Sequence, residues 1–207
     1  RQLRRAEPGD VFVSSACDGW QPVEAEYRLT RRCCELLLDR GFQVNVLTKS
    51  ALVLRGLDVF AGRRARIGIT VTTLDKHLRR LWEPEAAEVE ERLKVIEAAR
   101  NAGLPTSVMF GPLLPFLSDS EDTIAALLEQ AADLHIDRIW VDALNPRPRV
   151  WPAVAGLLRA SFPDLLQEYR KILFDEPARA AYVAAICARV SRAAQRLALS
   201  DRVAVCM

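Results

Sequence analysis

Residues 65–75, Ala65-Arg66-Ile67-Gly68-Ile69-Thr70-Val71-Thr72-Thr73-Leu74-Asp75, read as a strand that ends in polar residues and hands over to a helix. The β-branched run over 65–73 suits a pleated, half-buried surface. Asp75 stands where an N-cap belongs, ahead of His77 to Trp82. The same unit recurs along the chain. Val11-Phe12-Val13 runs into Ser14-Ser15-Ala16-Cys17-Asp18-Gly19, and Val44-Asn45-Val46-Leu47 into Thr48-Lys49-Ser50. Ser107-Val108-Met109-Phe110 runs into Gly111-Pro112, and Ile139-Trp140-Val141 into Asp142-Ala143-Leu144-Asn145. Parallel α/β sheets and barrels bind ligands at the carboxyl ends of their strands. Five polar strand ends therefore describe a small-molecule site.

Helical patterns fill the gaps between these strands, which argues for βα units and a parallel sheet. Residues 24–40 carry Tyr27, Leu29, Cys33, Leu36 and Leu37 at helical spacing, with Gly41 as a stop signal. A short helix is expected over Leu52 to Phe60. A longer one runs from about Ala87 to Asn101 with Val89, Leu93, Ile96 and Ala99 on one side, closed by Gly103. Ser120-Glu121-Asp122 suits a helix start, and that helix runs to Leu134. Strands are expected over 43–47, 105–111 and 138–144. From Val150 onward the pattern is helical alone, over Trp151 to Phe162, Asp164 to Phe174 and Glu176 to Leu199, before a short terminal strand at Val203 to Cys206. The expected organisation is a βα barrel portion over 1–149 and a helical extension over 150–207.

At 207 residues, 50% hydrophobic and 27% charged, the chain has the composition of an ordinary globular protein. A formal charge of +2 gives no argument for extensive phosphate contact, and the basic clusters read as solvated helix faces. No stretch reaches the ~18 apolar residues of a membrane span. Five cysteines, two of them adjacent, do not form a disulfide framework and point to a reducing cytoplasm. His77 and His135 have no carboxylate or cysteine at ligand spacing, so no metal site is assigned to this chain.

The ordered series of strand ends resembles the radical S-adenosylmethionine superfamily, and within it the spore photoproduct lyase-like, or DNA repair photolyase-like, group. The resemblance rests on Asp18-Gly19-Trp20-Gln21-Pro22, Leu47-Thr48-Lys49-Ser50, Gly68-Ile69-Thr70-Val71-Thr72, Glu83-Pro84, Glu91-Arg92-Leu93, Gly111-Pro112-Leu113-Leu114-Pro115 and Leu144-Asn145-Pro146-Arg147. It implies an α/β fold, a partial (βα)6 TIM-like barrel of parallel strands. It also implies a 4Fe–4S cluster on a C-x-x-x-C-x-x-C loop, S-adenosyl-L-methionine as cofactor, and a 5′-deoxyadenosyl radical that abstracts hydrogen from substrate. Cys17, Cys33, Cys34, Cys187 and Cys206 do not have the spacing of that triplet. The cluster-bearing first βα unit is therefore expected upstream of Arg1. A DNA lesion is the substrate that analogy with the group suggests, while substrate and oligomeric state stay open.

Site residues follow from the resemblance one by one. Lys49 takes the position of a lysine that contacts the cofactor carboxylate, and burial of its charge at a strand end is costly without an anion. Thr70 matches a serine in a cofactor-contact role, and Thr72 shares its face by strand alternation. Gly111 matches an adenosyl contact, and Leu144 and Asn145 end the last strand, where adenine packs. Aligning on Asp18 puts the hydrogen-atom donor of the lyase at Ser15, whereas Cys17 occupies a cofactor-contact position. Ser15, Cys17 and Asp18 are thus the expected catalytic group. Each has a plainer alternative: Lys49 snorkelling to solvent, Cys17 as a small hydrophobe, Asp18 as a cap, Gly111 and Asn145 as turn residues. Two other readings of the whole chain remain. One is a cluster-free relative that binds a nucleoside or a protein at the same mouth; the other is a lyase using Lys49 as a Schiff base.

Overall fold

The computed structural model describes residues 6–13, 17–145, 147 and 150–206. In chain order the elements are β1 (Asp10–Val13), α1 (Glu24–Tyr27), α2 (Leu29–Asp39), β2 (Gln43–Thr48), a 3-10 helix (Ala51–Gly56) and α3 (Leu57–Phe60). They continue with β3 (Ala65–Val71), α4 (Lys76–Trp82), α5 (Val89–Asn101), β4 (Thr106–Leu113), α6 (Glu121–Asp133) and β5 (Arg138–Ala143). The last are α7 (Trp151–Ser161), a 3-10 turn (Pro163–Leu165), α8 (Leu166–Phe174), α9 (Glu176–Arg196) and β6 (Val203–Val205). The strands form a parallel six-stranded sheet in the order β1-β2-β3-β4-β5-β6, which is the α/β, partial (βα)6-barrel arrangement expected, with helices at the C-terminal end.

By its contacts the chain divides into two compact units. The first comprises Arg1–Val71, Glu85–Met109 and Asp133–Ile139; the second Thr72–Pro84, Phe110–Ala132 and Trp140–Met207. In the first, β1 registers with β2 from Asp10↔Gln43 to Val13↔Val46, and β2 with β3 from Val44↔Ala65 to Thr48↔Ile69. Val44, Val46, Ile67 and Ile69 are buried on this sheet, and Val95, Ile96 and Ala99 of α5 are buried in the same unit. Gly68 is required there: a Cβ would meet the Ser107 hydroxyl and lie 2.8 Å from the Val46 carbonyl oxygen. In the second unit Leu78, Leu114, Leu144, Val154, Leu158, Tyr169 and Leu173 form the core. Trp151 packs edge-on against Phe174 at 5.3 Å.

Caps fall where the sequence placed them. The Asp75 carboxylate accepts from the Leu78 amide at 2.8 Å, and the Ser120 hydroxyl from the Thr123 amide at 3.1 Å. Gly41 and Gly103 end α2 and α5 at positive φ (79° and 70°), a conformation that favours glycine.

Two expectations need correction. The helix expected over 24–40 is broken at Arg28, which takes the left-handed conformation (φ 52°) between α1 and α2. Its buried face is also a different one: Cys34 and Leu38 face inward, whereas Tyr27, Leu29 and Leu36 are each more than half exposed and Cys33 is exposed. The break restarts the helical phase at Leu29, so residues counted as one stripe across 24–40 belong to two helices with different orientations. The fourth strand also runs past Gly111-Pro112 to Leu113, whose carbonyl accepts from the Leu144 amide.

Replacing Gly68 with alanine forces a methyl into the Val46 carbonyl and the Ser107 side chain, an overpacking that costs about 1–3 kcal/mol. Urea unfolding of Gly68→Ala is expected to show a lower midpoint with an unchanged slope. An unshifted midpoint contradicts this packing.

Candidate functional site

The residues picked out from the sequence fall into two sets, one inside each unit. In the first unit the loop after β1 folds back on the end of β2 through Asp18. Its carboxylate accepts from the Trp20 amide (2.9 Å), from the Thr48 hydroxyl (2.8 and 2.9 Å to its two oxygens) and from the Lys49 amide (2.7 Å). A carboxylate receiving three donors is satisfied internally, and its hydrogen bonds are charge-assisted and strong. Thr48 Oγ1 in turn accepts from the Ser50 amide, and Ser50 Oγ from Leu52 at the start of the 3-10 helix. Asp18 is thus the staple that fixes the loop bearing Lys49.

The Lys49 backbone is held from its other side as well. Its carbonyl accepts from the Ala87 amide at 3.2 Å. The Ala87 carbonyl accepts from Arg92 Nε at 2.8 Å, and Arg92 Nη1 donates to the Thr70 carbonyl at 2.8 Å. Arg92 is completely buried. A continuous chain of hydrogen bonds therefore runs Asp18–Lys49–Ala87–Arg92–Thr70. The register of β2 with β3 ends at Thr48↔Ile69, and Lys49 and Thr70 are the next residue along each segment, at the carboxyl ends of adjoining strands. The Thr70 hydroxyl makes no hydrogen bond among the described residues, although Thr70 is only 9% exposed. A nearly buried hydroxyl with spare capacity at the end of β3, with a half-buried lysine at the end of the adjoining β2, fits a ligand carrying a carboxylate and polar groups.

In the second unit Thr72 is differently used. Its hydroxyl donates to the buried Glu83 carboxylate and lies 3.1 Å from the Gly111 carbonyl oxygen. The Glu83 carbonyl accepts from Arg79 Nη1 at 3.3 Å. A Cβ on Gly111 would lie 2.9 Å from the Asp142 carbonyl oxygen, so close packing of β4 on β5 already requires glycine. Burial pushes the half-buried Asp142 carboxyl up, opposed by the Ala143 amide and by Arg179 and Arg147. Asn145 is exposed, and its carbonyl accepts from the Arg147 amide as the chain turns out of the strand.

Of the expected catalytic group, Asp18 is described above, Cys17 is exposed, and Ser15 lies outside the described residues. The cysteines are a poor fit to a cluster. Cys33 and Cys34 sit side by side on α2, and Cys34 is fully buried with its thiol pushed up to about 12, chiefly by that burial. No group of three His, Cys, Asp or Glu suited to a metal occurs among the described residues. Arg92 and Glu83 carry the geometry yet were not picked as site residues. Arg92 had a visible signal, a charge on the apolar side of a helix at 89, 92, 96 and 99.

Comparison with known proteins fits this geometry. The Radical SAM superfamily model matches residues 17–128. Uncharacterised proteins of Methanocaldococcus jannaschii and Mycobacterium tuberculosis are each 29% identical, over 114 and 166 residues. Those matches cover 55% and 78% of this chain but 44% and 49% of the relatives, so the chain spans about half the length of the curated relatives it matches. Among solved structures, a spore photoproduct lyase variant with bound AdoMet and dinucleoside spore photoproduct superposes with a TM-score of 0.70 at 13% identity, covering 98% of this chain and 62% of that one. Streptococcus suis SuiB bound to S-adenosylmethionine gives 0.50 at 15% identity, over 79% of this chain and 36% of that one. Identities this low speak to the fold. The family match takes in the loop stapled by Asp18, the lysine after β2, the threonines of β3 and the buried Arg92, over more than half the chain: the protein belongs to the radical SAM superfamily.

Proposed function

We propose that this chain is the S-adenosylmethionine-holding portion of a radical enzyme of the spore photoproduct lyase-like group. The observation that carries the reading is Lys49, fixed through both backbone polar groups at the end of β2 and tied through Ala87 and Arg92 to Thr70 at the end of β3. When bound in such an enzyme, S-adenosylmethionine supplies a 5′-deoxyadenosyl radical for hydrogen abstraction. In our reading this chain's part is to bind and orient. Lys49 meets the cofactor carboxylate as a compact cation, and Thr70 hydrogen-bonds its polar atoms. Asp18 and Arg92 act through the backbone as positioning residues. Thr72 and Gly111 hold Glu83 and the β4 backbone, and Asn145 and Cys17 offer exposed contacts. The likeness to spore photoproduct lyase supports a nucleic-acid lesion as the substrate class.

The iron–sulfur cluster belongs, in this reading, to a βα unit outside these residues. Two features of the first unit support it. Among the described residues β1 is the last strand of the sheet on its side. Leu29, Cys33 and Leu36 form an exposed apolar stripe on α2, with Phe12 of β1 also 44% exposed. An open strand edge invites a further strand, and the relatives are about twice as long as their matched segments.

Three outcomes check the proposal. Calorimetric titration of the chain with S-adenosylmethionine is expected to show binding that Lys49→Met weakens at least tenfold, about the 1.4 kcal/mol that one charge-assisted hydrogen bond supplies; equal affinity in the variant counts against the site. Asp18→Ala leaves three donors without their acceptor, and a loss of about 1–3 kcal/mol in unfolding free energy is expected, since buried unmet donors are penalised on that scale. Leu29→Glu with Leu36→Glu should leave the thermal midpoint of the 207-residue chain within a degree or so of the parent, because exposed substitutions are nearly neutral. In the longer protein the same pair should lower the iron retained after anaerobic reconstitution. Undiminished iron would place the cluster unit elsewhere.

A further inference from the structure

A cavity of about 290 Å³ opens in the first unit between the loop after β1 and the segment after β2. Arg28, Arg31 and Arg55 line it, with Glu24, Asp58 and the buried Trp20. Three cations and two carboxylates leave one formal positive charge, and the carboxylates are already engaged. Glu24 accepts from the Thr30 and Arg31 amides, both at 3.0 Å, capping α2. Asp58 takes both terminal nitrogens of Arg31, at 2.7 and 2.5 Å, a fork that lowers the Asp58 carboxyl below its ordinary range. The Arg55 carbonyl accepts from Arg31 Nη1 at 2.8 Å, but among the described residues its guanidinium has a single long contact, 3.4 Å to the Ala25 carbonyl, and Arg28 makes no side-chain hydrogen bond or ion pair. Arg28 also sits in the left-handed conformation, unfavourable for a residue with a Cβ. Such an outlier points toward function when the surrounding structure enforces it.

We propose that this cavity is a binding site for a phosphate group, held by Arg28 and Arg55. Its volume lies at the lower end of the ~300–1,000 Å³ typical of drug-sized ligand pockets, so it suits one anionic group with a little of what bears it. Two guanidinium forks arrive from different segments, Arg28 from the junction of α1 and α2 and Arg55 from the 3-10 helix after β2. A carboxylate has two oxygens and satisfies one fork, whereas a phosphate presents enough oxygens for both. The bearer is either a phosphodiester of a nucleic-acid strand or a small phosphorylated molecule. The first bearer rests on the lesion-repair reading above; the site itself does not, because it needs neither cofactor nor iron.

The test titrates the 207-residue chain with inorganic phosphate, with a single-stranded oligothymidylate, and with the uncharged methylphosphonate analogue of that oligonucleotide. Each titration is repeated on Arg28→Gly and Arg55→Gln. Arg28→Gly removes the guanidinium and relieves the left-handed backbone, so its thermal midpoint should be equal or higher while phosphate affinity falls at least tenfold. Oligothymidylate that binds, is displaced by phosphate and loses affinity as the methylphosphonate supports the nucleic-acid bearer. Phosphate binding without displaceable oligonucleotide binding supports the small phosphorylated molecule. Absence of both, or parent-like affinity in the two arginine variants, overturns the site. S-adenosylmethionine affinity should be unchanged in the arginine variants, and phosphate affinity unchanged in Lys49→Met, which separates failure of this site from failure of the cofactor site.

Discussion

One carboxylate organises the first unit. Asp18 draws the Trp20 amide, the Thr48 hydroxyl and the Lys49 amide onto two oxygen atoms, tying the exit of β1 to the exit of β2. From Lys49 the constraint passes through Ala87 to Arg92, and from Arg92 to the Thr70 carbonyl. Loops are normally the least determined parts of a fold. In this unit the loops that bear candidate ligands are set by charge-assisted hydrogen bonds, and their backbone polar groups are spent on one another. The side chains of Lys49 and Thr70 are thereby presented by a rigid frame. Orientation of that kind lets binding strength go to the ligand instead of to ordering the protein.

The same loop ties together the two proposed sites. Its start is held by Asp18 and its end by Glu24, which caps α2, while the Thr30 hydroxyl donates to the Gly19 carbonyl at 2.6 Å. Lys49 lies beyond one end of this clamp, and Arg28 and Arg31 lie at the other.

The parallel sheet was legible in the sequence because its cause is local. Each strand is a short apolar run closed by polar residues, and two of the following helices have a start signal, at Asp75 and Ser120. The positions of Lys49 and Thr70 at the ends of their strands were legible for the same reason, since strand ends can be counted. The stripe on α2 was not, because one left-handed residue at Arg28 resets the helical phase and no apolar pattern announces it. Gly111 and Asp18 show a different limit. The resemblance implied ligand contact at Gly111, and the structure adds a packing requirement that no sequence signal announced: the Asp142 carbonyl occupies the space a side chain would need. Asp18 was as suited to capping as to chemistry, and only the positions of its three donors assign it to the frame. Arg92 was visible as a charge on an apolar helix face; its partners, two backbone carbonyls on separate segments, were not.

The central claim is that the adjoining ends of β2 and β3 in the first unit receive S-adenosylmethionine. The most direct measurement is amide chemical-shift mapping of the isotopically labelled chain during titration with the cofactor. The account predicts saturable shifts concentrated at residues 18–20, 48–50 and 70–72 and at Ala87. Shifts confined to other parts of the chain, or none at saturating cofactor, would contradict it.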